Sequence, residues 1–413
     1  MKSLLLIALC CVSLHSCGKS LVDSNVQSLS GASPQIMVHY MPWYASKPIS
    51  GEWGWHWTMN HFDPDTIADD GRREIASHYY PLIGPYDSND PHALECHVLL
   101  MKFAGIDGAI IDWYGIKDHR DYAAIHRNTK HLIAYIKKAG LSFAICYEDQ
   151  TIKHLVNDGV LRESEALSHG QEVLRWMQDH WFVADEYAKI AGRPLLLVFG
   201  PQYFKGAAWK ELFSGLSQPP YFYTLNTLQE GADGVFGWPP VHGDRVVPPA
   251  AWRAYLSQLY EQGGVGTAFP KFHDIYEEAN VRESYGYLDD QEGTVFRETL
   301  ELAGQSASLI QIVTWNDYGE GTIIEPTVEF GYRYLEALQN YRKKHAGKIF
   351  PYSPEDLRLP IALYQLRQQA AADERAATHL DSAAAFLFAS ENEAARKILS
   401  GTLLTSENRE DTL

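Results

Sequence analysis

Short apolar runs alternate along the chain with longer segments in which apolar and polar residues recur at helical spacing. Some of these runs, such as GAII at 108–111 and PLLLV at 194–198, are apolar at every position. That pattern is typical of parallel strands that helices cover on both faces. Eight strands are predicted on this basis: Ile36–Tyr40, Gly108–Asp112, Phe143–Tyr147, Pro194–Phe199, Tyr221–Thr224, Gly234–Gly237, Gly264–Pro270 and Leu309–Thr314.

The segments between the strands carry helix signals. Residues 91–105 (PHALECHVLLMKFAG) begin with Pro and close with Gly, and residues 119–140 end in Lys-Lys-Ala-Gly, a common helix stop. Strands and helices that alternate in this way predict an α/β fold, a (β/α)8 TIM barrel with long loops at its C-terminal face. A doubly wound sheet is the alternative. The lack of a G-x-G-x-x-G loop after an early strand argues against it.

Four segments are predicted along the chain. Residues 1–16 contain one Lys followed by the apolar run Leu4–Leu14, a secretory signal that is too short to span a membrane. Residues 17–34 are polar and Ser-rich, as in a tether. Residues 35–350 hold the barrel, and the Ala- and Leu-rich residues 351–413 predict a C-terminal helical extension that either packs on the barrel or stands apart.

The signal ends in LHSC, which is similar to a bacterial lipobox, in which the Cys after the cleavage site is lipidated. This similarity predicts that Cys17 is acylated. The protein would then be an exported bacterial lipoprotein, periplasmic or at the cell surface, that meets the membrane only through its lipid anchor. Because His15 is atypical of the pattern, secretion without an anchor is the alternative. Cys96 and Cys146 follow the signal and predict either a disulfide or two buried thiols.

Composition and charge narrow the function classes. Hydrophobic residues make up 46% of the chain and charged residues 21%, as in an ordinary globular protein. The formal net charge of −17 argues against nucleic acid or an anionic membrane surface as a partner, because phosphates need a basic stripe. The 11 Trp and 24 Tyr either fill a large core or suit sugar rings, which are apolar on their faces and polar at their rim.

Polar and aromatic residues gather where the predicted strands end. HYMPWY follows the first strand, DWYG the second, YED the third, GWPP the sixth and WNDYGEG the eighth, whereas the strands begin with AGID, AGLS or AGRP. Since the carboxyl ends of barrel strands meet at one face, these residues predict an active site there.

Asp317 and Glu320 are the strongest catalytic candidates. Two carboxyl groups on either side of one bond are the minimum equipment for glycoside hydrolysis, one as proton donor and the other at the nucleophilic side. The alternative is a polar loop whose acids cap neighbouring amides or Thr322. Asp112, at a strand end, is interpreted either as a ligand for sugar hydroxyls or as the partner of a basic side chain.

The segment GEWGWHWTMNH contains three Trp and two His. The spacing of His56 and His61 is not that of metal ligands, so a loop that stacks on sugars or simply packs is favoured. No G-x-S-x-G, P-loop or H-E-x-x-H motif is present. The sequence therefore predicts no metal and no cofactor.

WNDYGEG, together with HYMPWY, GIDGAIIDWYG and ICYED, resembles glycoside hydrolase families 71 and 99 over residues 35–350. The resemblance implies a (β/α)8 endo-glycosidase for α-linked glycans. It makes Glu320 the general acid/base and Asp317 a base, acting either on the sugar 2-hydroxyl through a 1,2-anhydro intermediate or on water. Family 99 mannosidases have Glu at the first of these positions, whereas this chain has Asp, as in family 71.

By the same resemblance, the candidates to line the substrate pocket are Tyr40, Tyr44, His78, Asp112, Tyr114, Tyr147 and Asn316. Three further substrate-binding candidates come from the Trp-rich segment and the strand ends: Trp53, Glu148 and Trp238. For Tyr147 and Glu148, strand alternation allows one of the two to face inward. The sequence thus predicts a glycoside hydrolase for an α-mannan- or α-glucan-like polysaccharide. The alternative from another class is a non-catalytic glycan-binding surface lipoprotein.

Overall fold

The computed structural model describes residues 33–243, 245–345, 349–370 and 373–410, with side chains up to residue 401. The predicted signal, Cys17 and residues 17–32 of the predicted tether lie outside the described residues. Within the described part, every helix is too short or too polar to cross a bilayer.

Eight parallel strands form the centre of the molecule, one for each predicted strand, with bounds that differ by three residues or fewer. They are β1 Gln35–Tyr40, β2 Gly108–Trp113, β3 Ser142–Tyr147, β4 Arg193–Val198, β5 Tyr221–Leu225, β6 Gly234–Phe236, β7 Gly266–Ala268 and β8 Leu309–Ile312. The sheet runs in the order β6-β5-β4-β3-β2-β1-β8-β7.

The two ends of this sheet meet and close it into a barrel. The Val265 N–H donates to the Val235 carbonyl at 2.8 Å, and the Gly237 N–H donates to the Thr267 hydroxyl at 3.2 Å. These bonds join the segments of β6 and β7. The prediction of a (β/α)8 barrel is therefore confirmed, and the doubly wound alternative is wrong.

Helices surround the barrel: α1 Pro91–Ala104, α2 Tyr122–Lys138, α3 Gln150–Asn157, α4 Ala166–Met177, α5 Ala208–Phe213, α6 Pro249–Glu261, α7 Thr294–Ser306 and α8 Arg333–His345. The start of α1 follows its sequence signals, since the Asp90 side chain caps the His92 amide and Pro91 occupies the first turn. Its end is Gly105 at φ 85°. The fold departs from the ideal repeat at residues 226–233, which join β5 to β6 without a helix.

Shorter elements complete the described part. One-turn helices Lys47–Ser50 and Trp55–Thr58 lie in the long loop after β1, and 3-10 turns occupy Glu163–Glu165 and Pro354–Arg358. A π turn, Gln178–Phe182, extends α4. Strand Lys189–Ile190 pairs with β4, and Phe272–His273 pairs with Tyr287–Leu288.

Three further helices, α9 Leu359–Gln369, α10 Glu374–Phe388 and α11 Asn392–Glu410, follow the barrel. The Arg367 guanidinium donates to the Glu95 carboxylate on α1 at 2.8 Å, and both side chains are more than 90% buried. The C-terminal helices therefore pack on the outer layer through α1.

Cys96 on α1 and Cys146 on β3 are both buried and both free thiols. Each is enclosed by other buried residues of the apolar core. Of the two sequence-based interpretations, buried thiols therefore describe this pair.

Candidate active site

A cavity of about 130 Å³ opens at the carboxyl ends of the strands. Four carboxyl groups face it, and none of the residues that line it is Lys or Arg. Its walls are otherwise mostly aromatic. The lining residues are His39, Met41, Trp43, Asp112, Tyr114, Glu148, Phe199, Trp238, Tyr276, Asp317 and Glu320.

The loop after β8 fixes Asp317 within this cavity. The Asp317 N–H donates to the Thr314 hydroxyl at 2.8 Å, and the Asp317 Oδ1 atom accepts the Glu320 N–H at 2.9 Å. The loop closes on itself because the Thr314 N–H donates to the Thr322 carbonyl at 2.8 Å. Asp317 thus caps a neighbouring amide and also lines the cavity, so both sequence-based interpretations describe part of its environment.

Glu320 is held from its carboxylate and from its backbone. The Trp238 Nε1–H donates to Glu320 Oε2 at 2.7 Å, and the His273 N–H donates to the Glu320 carbonyl at 2.9 Å. The Trp238 ring itself lies edge-on to Phe199 and His39, at centroid separations of 4.9 and 5.2 Å. Packing on both sides of the indole therefore orients the acid.

Burial raises the pKa values of Asp317 and Glu320 by different amounts. Loss of water raises the pKa of Asp317 to about 6. Burial, reinforced by the charge of Asp317, raises the pKa of Glu320 well above its usual range, although the Trp238 hydrogen bond opposes the shift. At neutral pH this leaves Asp317 ionised and Glu320 the better proton donor, a division of roles that suits acid–base catalysis.

Asp112 and Glu148 are the other two carboxyl groups of the cavity. Burial raises the pKa of both, and the charge of Asp317 adds to the shift of Asp112. Glu148 accepts a hydrogen bond from Gln150 Nε2 at 2.7 Å. Within the described residues the Asp112 Oδ2 atom has no hydrogen-bond partner and no basic side chain pairs with it, so it can accept a hydrogen bond from a group that enters the cavity.

Three predicted site residues lie behind the loop after β8 rather than in the cavity. The Tyr40 hydroxyl points outward from β1 to His97 Nδ1 at 2.9 Å. The Tyr44 hydroxyl donates to the Asn316 carbonyl at 2.8 Å, and the Asn316 side chain binds both backbone groups of Met41. These residues hold the loop in place instead of lining the substrate pocket.

A buried network extends this support. Glu325, 2% exposed, accepts from Tyr86 at 2.9 Å and from His97 Nε2 at 3.1 Å. Asn316 donates to the Tyr86 hydroxyl at 3.0 Å. A neutral His97 that donates from Nε2 and accepts the Tyr40 hydroxyl proton at Nδ1 satisfies every bond. Glu325 therefore links α1 to the base of the loop after β8.

Replacing Glu325 with Ala is expected to lower the free energy of unfolding by about 3 kcal/mol, because His97 and Tyr86 would become buried donors without an acceptor. Urea denaturation measures this change. The control is Glu172→Ala, which removes a His–Glu pair of the same length, 3.1 Å, whose Glu is 62% exposed, and no measurable change is expected there. Equal stabilities of the two variants would contradict the role given to Glu325.

Three other predicted residues also stand apart from the cavity. His78 stacks on His273 with ring centroids 3.7 Å apart. Trp53 donates to Asp65 Oδ1 at 3.0 Å within its own loop. Tyr147, 1% exposed, points away from the barrel axis, so Glu148 is the member of that pair that reaches the cavity.

Asp112, Tyr114, Glu148, Trp238, Asp317 and Glu320 are the predicted residues that the structure brings together. His39, Met41, Trp43, Phe199 and Tyr276 line the cavity without having been predicted. Three of these five, His39, Met41 and Trp43, lie in the motif HYMPWY, which the sequence already marked. Tyr276 carries no local signal. Within the described residues, no cluster of three His, Cys, Asp or Glu is suited to a metal.

The chain is similar to known glycoside hydrolases. The model of glycosyl hydrolase family 99 matches residues 33–348. A glycoprotein endo-alpha-1,2-mannosidase of Rattus norvegicus is 23% identical over 393 residues, which cover 82% of this chain and 81% of the relative. The corresponding Mus musculus protein is 23% identical over 80% of this chain and 79% of its own.

Solved structures show the same fold. The family 99 endo-alpha-mannosidase of Bacteroides thetaiotaomicron superposes with a TM-score of 0.56 at 19% identity. The superposition covers 77% of this chain and 100% of that one. With the family model matching most of the chain, the resemblance read from WNDYGEG and its companion motifs is confirmed. The chain belongs to glycosyl hydrolase family 99 and is a glycoside hydrolase.

Proposed function

We propose that the protein is an endo-acting α-mannosidase that cleaves α-linked mannose within glycans, with Glu320 as proton donor and Asp317 as base. The observation that carries the proposal is the pair of carboxyl groups on one loop, facing one cavity with opposite preferred protonation states. The names of the relatives, endo-alpha-1,2-mannosidases, support mannose as the sugar and internal cleavage as the mode.

The proposed reaction has two steps. Glu320 gives its proton to the glycosidic oxygen while the bond between that oxygen and C1 breaks. Asp317 takes the proton of the sugar 2-hydroxyl, and the sugar 2-oxygen forms the new bond to C1. Water, deprotonated by the Glu320 carboxylate, then opens this 1,2-anhydro ring, and Asp317 returns its proton to the 2-oxygen. An α-mannoside suits the step, since its axial 2-hydroxyl lies opposite the axial leaving group.

The charge of the cavity suits the same reaction. Glycoside cleavage develops positive charge at C1 and the ring oxygen, and carboxylates placed around that position stabilise it. Four carboxyl groups without a Lys or Arg also disfavour phosphorylated or uronic sugars. The aromatic walls favour the apolar faces of a neutral sugar. A neutral mannose polymer is therefore the substrate class that fits.

A panel of polysaccharides tests the substrate. Yeast α-mannan is expected to release oligosaccharides of several lengths, whereas an α-1,3-glucan is expected to release none. Proton NMR of the first product is expected to show the α-anomer, because the two-step route retains configuration. Release from glucan alone would overturn the choice of sugar, and a β-anomer as first product would overturn the 1,2-anhydro route.

The pH profile of kcat/KM is expected to be bell-shaped. Asp317 must be ionised to act as a base, so activity should fall as the pH drops through about 6, the raised pKa of this carboxyl. Glu320 must be protonated, so activity should also fall at alkaline pH, above the raised pKa of that group. Initial rates from pH 4 to 9 at roughly constant ionic strength measure both limbs. A profile flat from pH 4 to 7 would contradict the role of Asp317.

We also propose that the chain is exported and anchored in a bacterial membrane by an acylated Cys17. The support is the motif LHSC after the apolar run Leu4–Leu14. Metabolic labelling with a palmitate analogue is expected to mark the wild type and to leave Cys17→Ser unmarked. A secreted, unlabelled wild type would show that the signal serves plain secretion.

A further inference from the structure

Trp55 is the most exposed tryptophan of the described part, with 40% of its surface open to solvent. It begins the one-turn helix Trp55–Thr58 in the long loop after β1. One exposed aromatic ring is ordinary by itself, but a Trp face is well suited to the apolar face of a ligand. The surroundings of Trp55 decide what it could bind.

A continuous row of rings connects Trp55 to the active-site cavity. The Trp55 ring lies edge-on to His56, with centroids 5.0 Å apart, and His56 stacks flat on Trp43 at 4.2 Å and an angle of 7°. Trp43 lines the cavity. His56 in turn approaches Asp121 before α2 at 3.8 Å. Trp55 is thus joined to the cavity wall through two ring contacts rather than being an isolated surface residue.

The other tryptophans of the segment GEWGWHW are committed to internal contacts. The Trp53 indole donates to Asp65, and the Arg73 guanidinium lies over its ring at 5.4 Å. Trp57 is fully buried and donates to the Tyr86 carbonyl at 2.7 Å. Only Trp55, among the three, leaves a ring available to a ligand. Trp55, rather than the predicted Trp53, is therefore the tryptophan of this segment that can stack on a sugar.

We propose that Trp55 is the platform of an outer subsite, on which a neutral sugar residue of the glycan stacks while a bond further along is cleaved between Asp317 and Glu320. This inference rests on the proposed endo-action, because a substrate that ended inside the cavity would not reach Trp55. A sugar face offers C–H groups to the ring and keeps its hydroxyls in water. Because ring contacts through His56 and Trp43 connect Trp55 to the cavity, the glycan would run from the cavity towards Trp55.

The effect of Trp55→Ala is expected to depend on substrate length. For manno-oligosaccharides long enough to reach the outer subsite, kcat/KM should fall about tenfold, mainly through KM, as the loss of one stacking contact implies. For the shortest oligosaccharide that the wild type cleaves, kcat/KM should stay unchanged. Trp55→Phe should recover most of the loss, since it keeps an aromatic face. Val183→Ala, at a residue 67% exposed on the outside of the barrel, is the control and should leave every rate unchanged.

Equal losses on short and long substrates, or no loss on any, would overturn the outer subsite while leaving the proposed function intact. If the wild type cleaves no mannoside, the proposed function fails instead. The subsite is then tested by affinity electrophoresis in gels that contain yeast mannan or an α-glucan. Weaker retardation of Trp55→Ala than of Val183→Ala would support it, and equal migration in both gels would refute it.

Discussion

Glu320→Gln is expected to lower kcat on natural glycans by about 10³-fold, within the range that a positioned proton donor contributes. Gln keeps the size of the side chain and an oxygen that can accept the Trp238 N–H, the 2.7 Å bond that orients the group. It has no acidic proton to give to the glycosidic oxygen. The loss should therefore report chemistry rather than misfolding, and circular dichroism and thermal melting of the variant should match the wild type.

Leaving-group dependence separates proton donation from other roles of Glu320. A mannosyl fluoride needs little help from an acid because fluoride leaves readily. Glu320→Gln should therefore release fluoride in the first turnover at a rate within about tenfold of the wild type, because only the second step needs Glu320 as a base, while remaining almost inactive on mannan. The control is Glu393→Gln, at a side chain 84% exposed on α11, which should behave as the wild type. An equal loss on both substrates would reassign Glu320 to binding or positioning.

The barrel could be predicted from sequence because its signals are local. Runs such as GAII and PLLLV are apolar on both faces, and α1 has Pro at its start and Gly after its end. The closure of the sheet is not local, since it depends on the first strand pairing with the last, with Gln35 opposite Leu309. The absence of a helix between β5 and β6, at residues 226–233, was also not evident from the sequence.

Strand alternation explains which site residues could not be chosen in advance. His39 and Tyr40 are neighbours on β1 and both have polar groups suited to sugar hydroxyls. His39 faces the cavity, and Tyr40 faces α1, where His97 accepts its hydroxyl. The face is set by the pairing of β1 with β2 and β8, which a single sequence does not display.

Long-range contacts limited the prediction in the loops as well. Nothing near Trp53 in the sequence shows that Asp65 and Arg73 engage it, so it looked as suitable for sugar as Trp55. Tyr276 reaches the cavity from the loop after β7, in a segment without a strand-end motif. Asp317 and Glu320 were easier to predict as a pair, because they are three residues apart on one loop after a predicted strand.

Asp317 sets the nucleophilic half of the reaction, and Asp317→Asn is expected to lower kcat by about 10³-fold. Asn retains an oxygen for the Glu320 N–H, the 2.9 Å bond that shapes the turn, but cannot take a proton from the sugar 2-hydroxyl. The activity that remains should lose its acid limb near pH 6, since the group whose pKa is raised to about 6 is gone. Asp381→Asn, at a side chain 71% exposed on α10, is the control.

Asp317→Glu then tests the length of the side chain. Glu restores a base of the kind that family 99 mannosidases carry, but its extra methylene must fit a turn in which the Asp carboxylate already binds the Glu320 amide. We expect activity between those of the wild type and Asp317→Asn, with the acid limb of the pH profile restored. A fully active Asp317→Asn, or one that keeps an unshifted acid limb, would show that the base is another group. Asp112 would then be the next candidate, because its Oδ2 atom faces the cavity without a partner in the described structure.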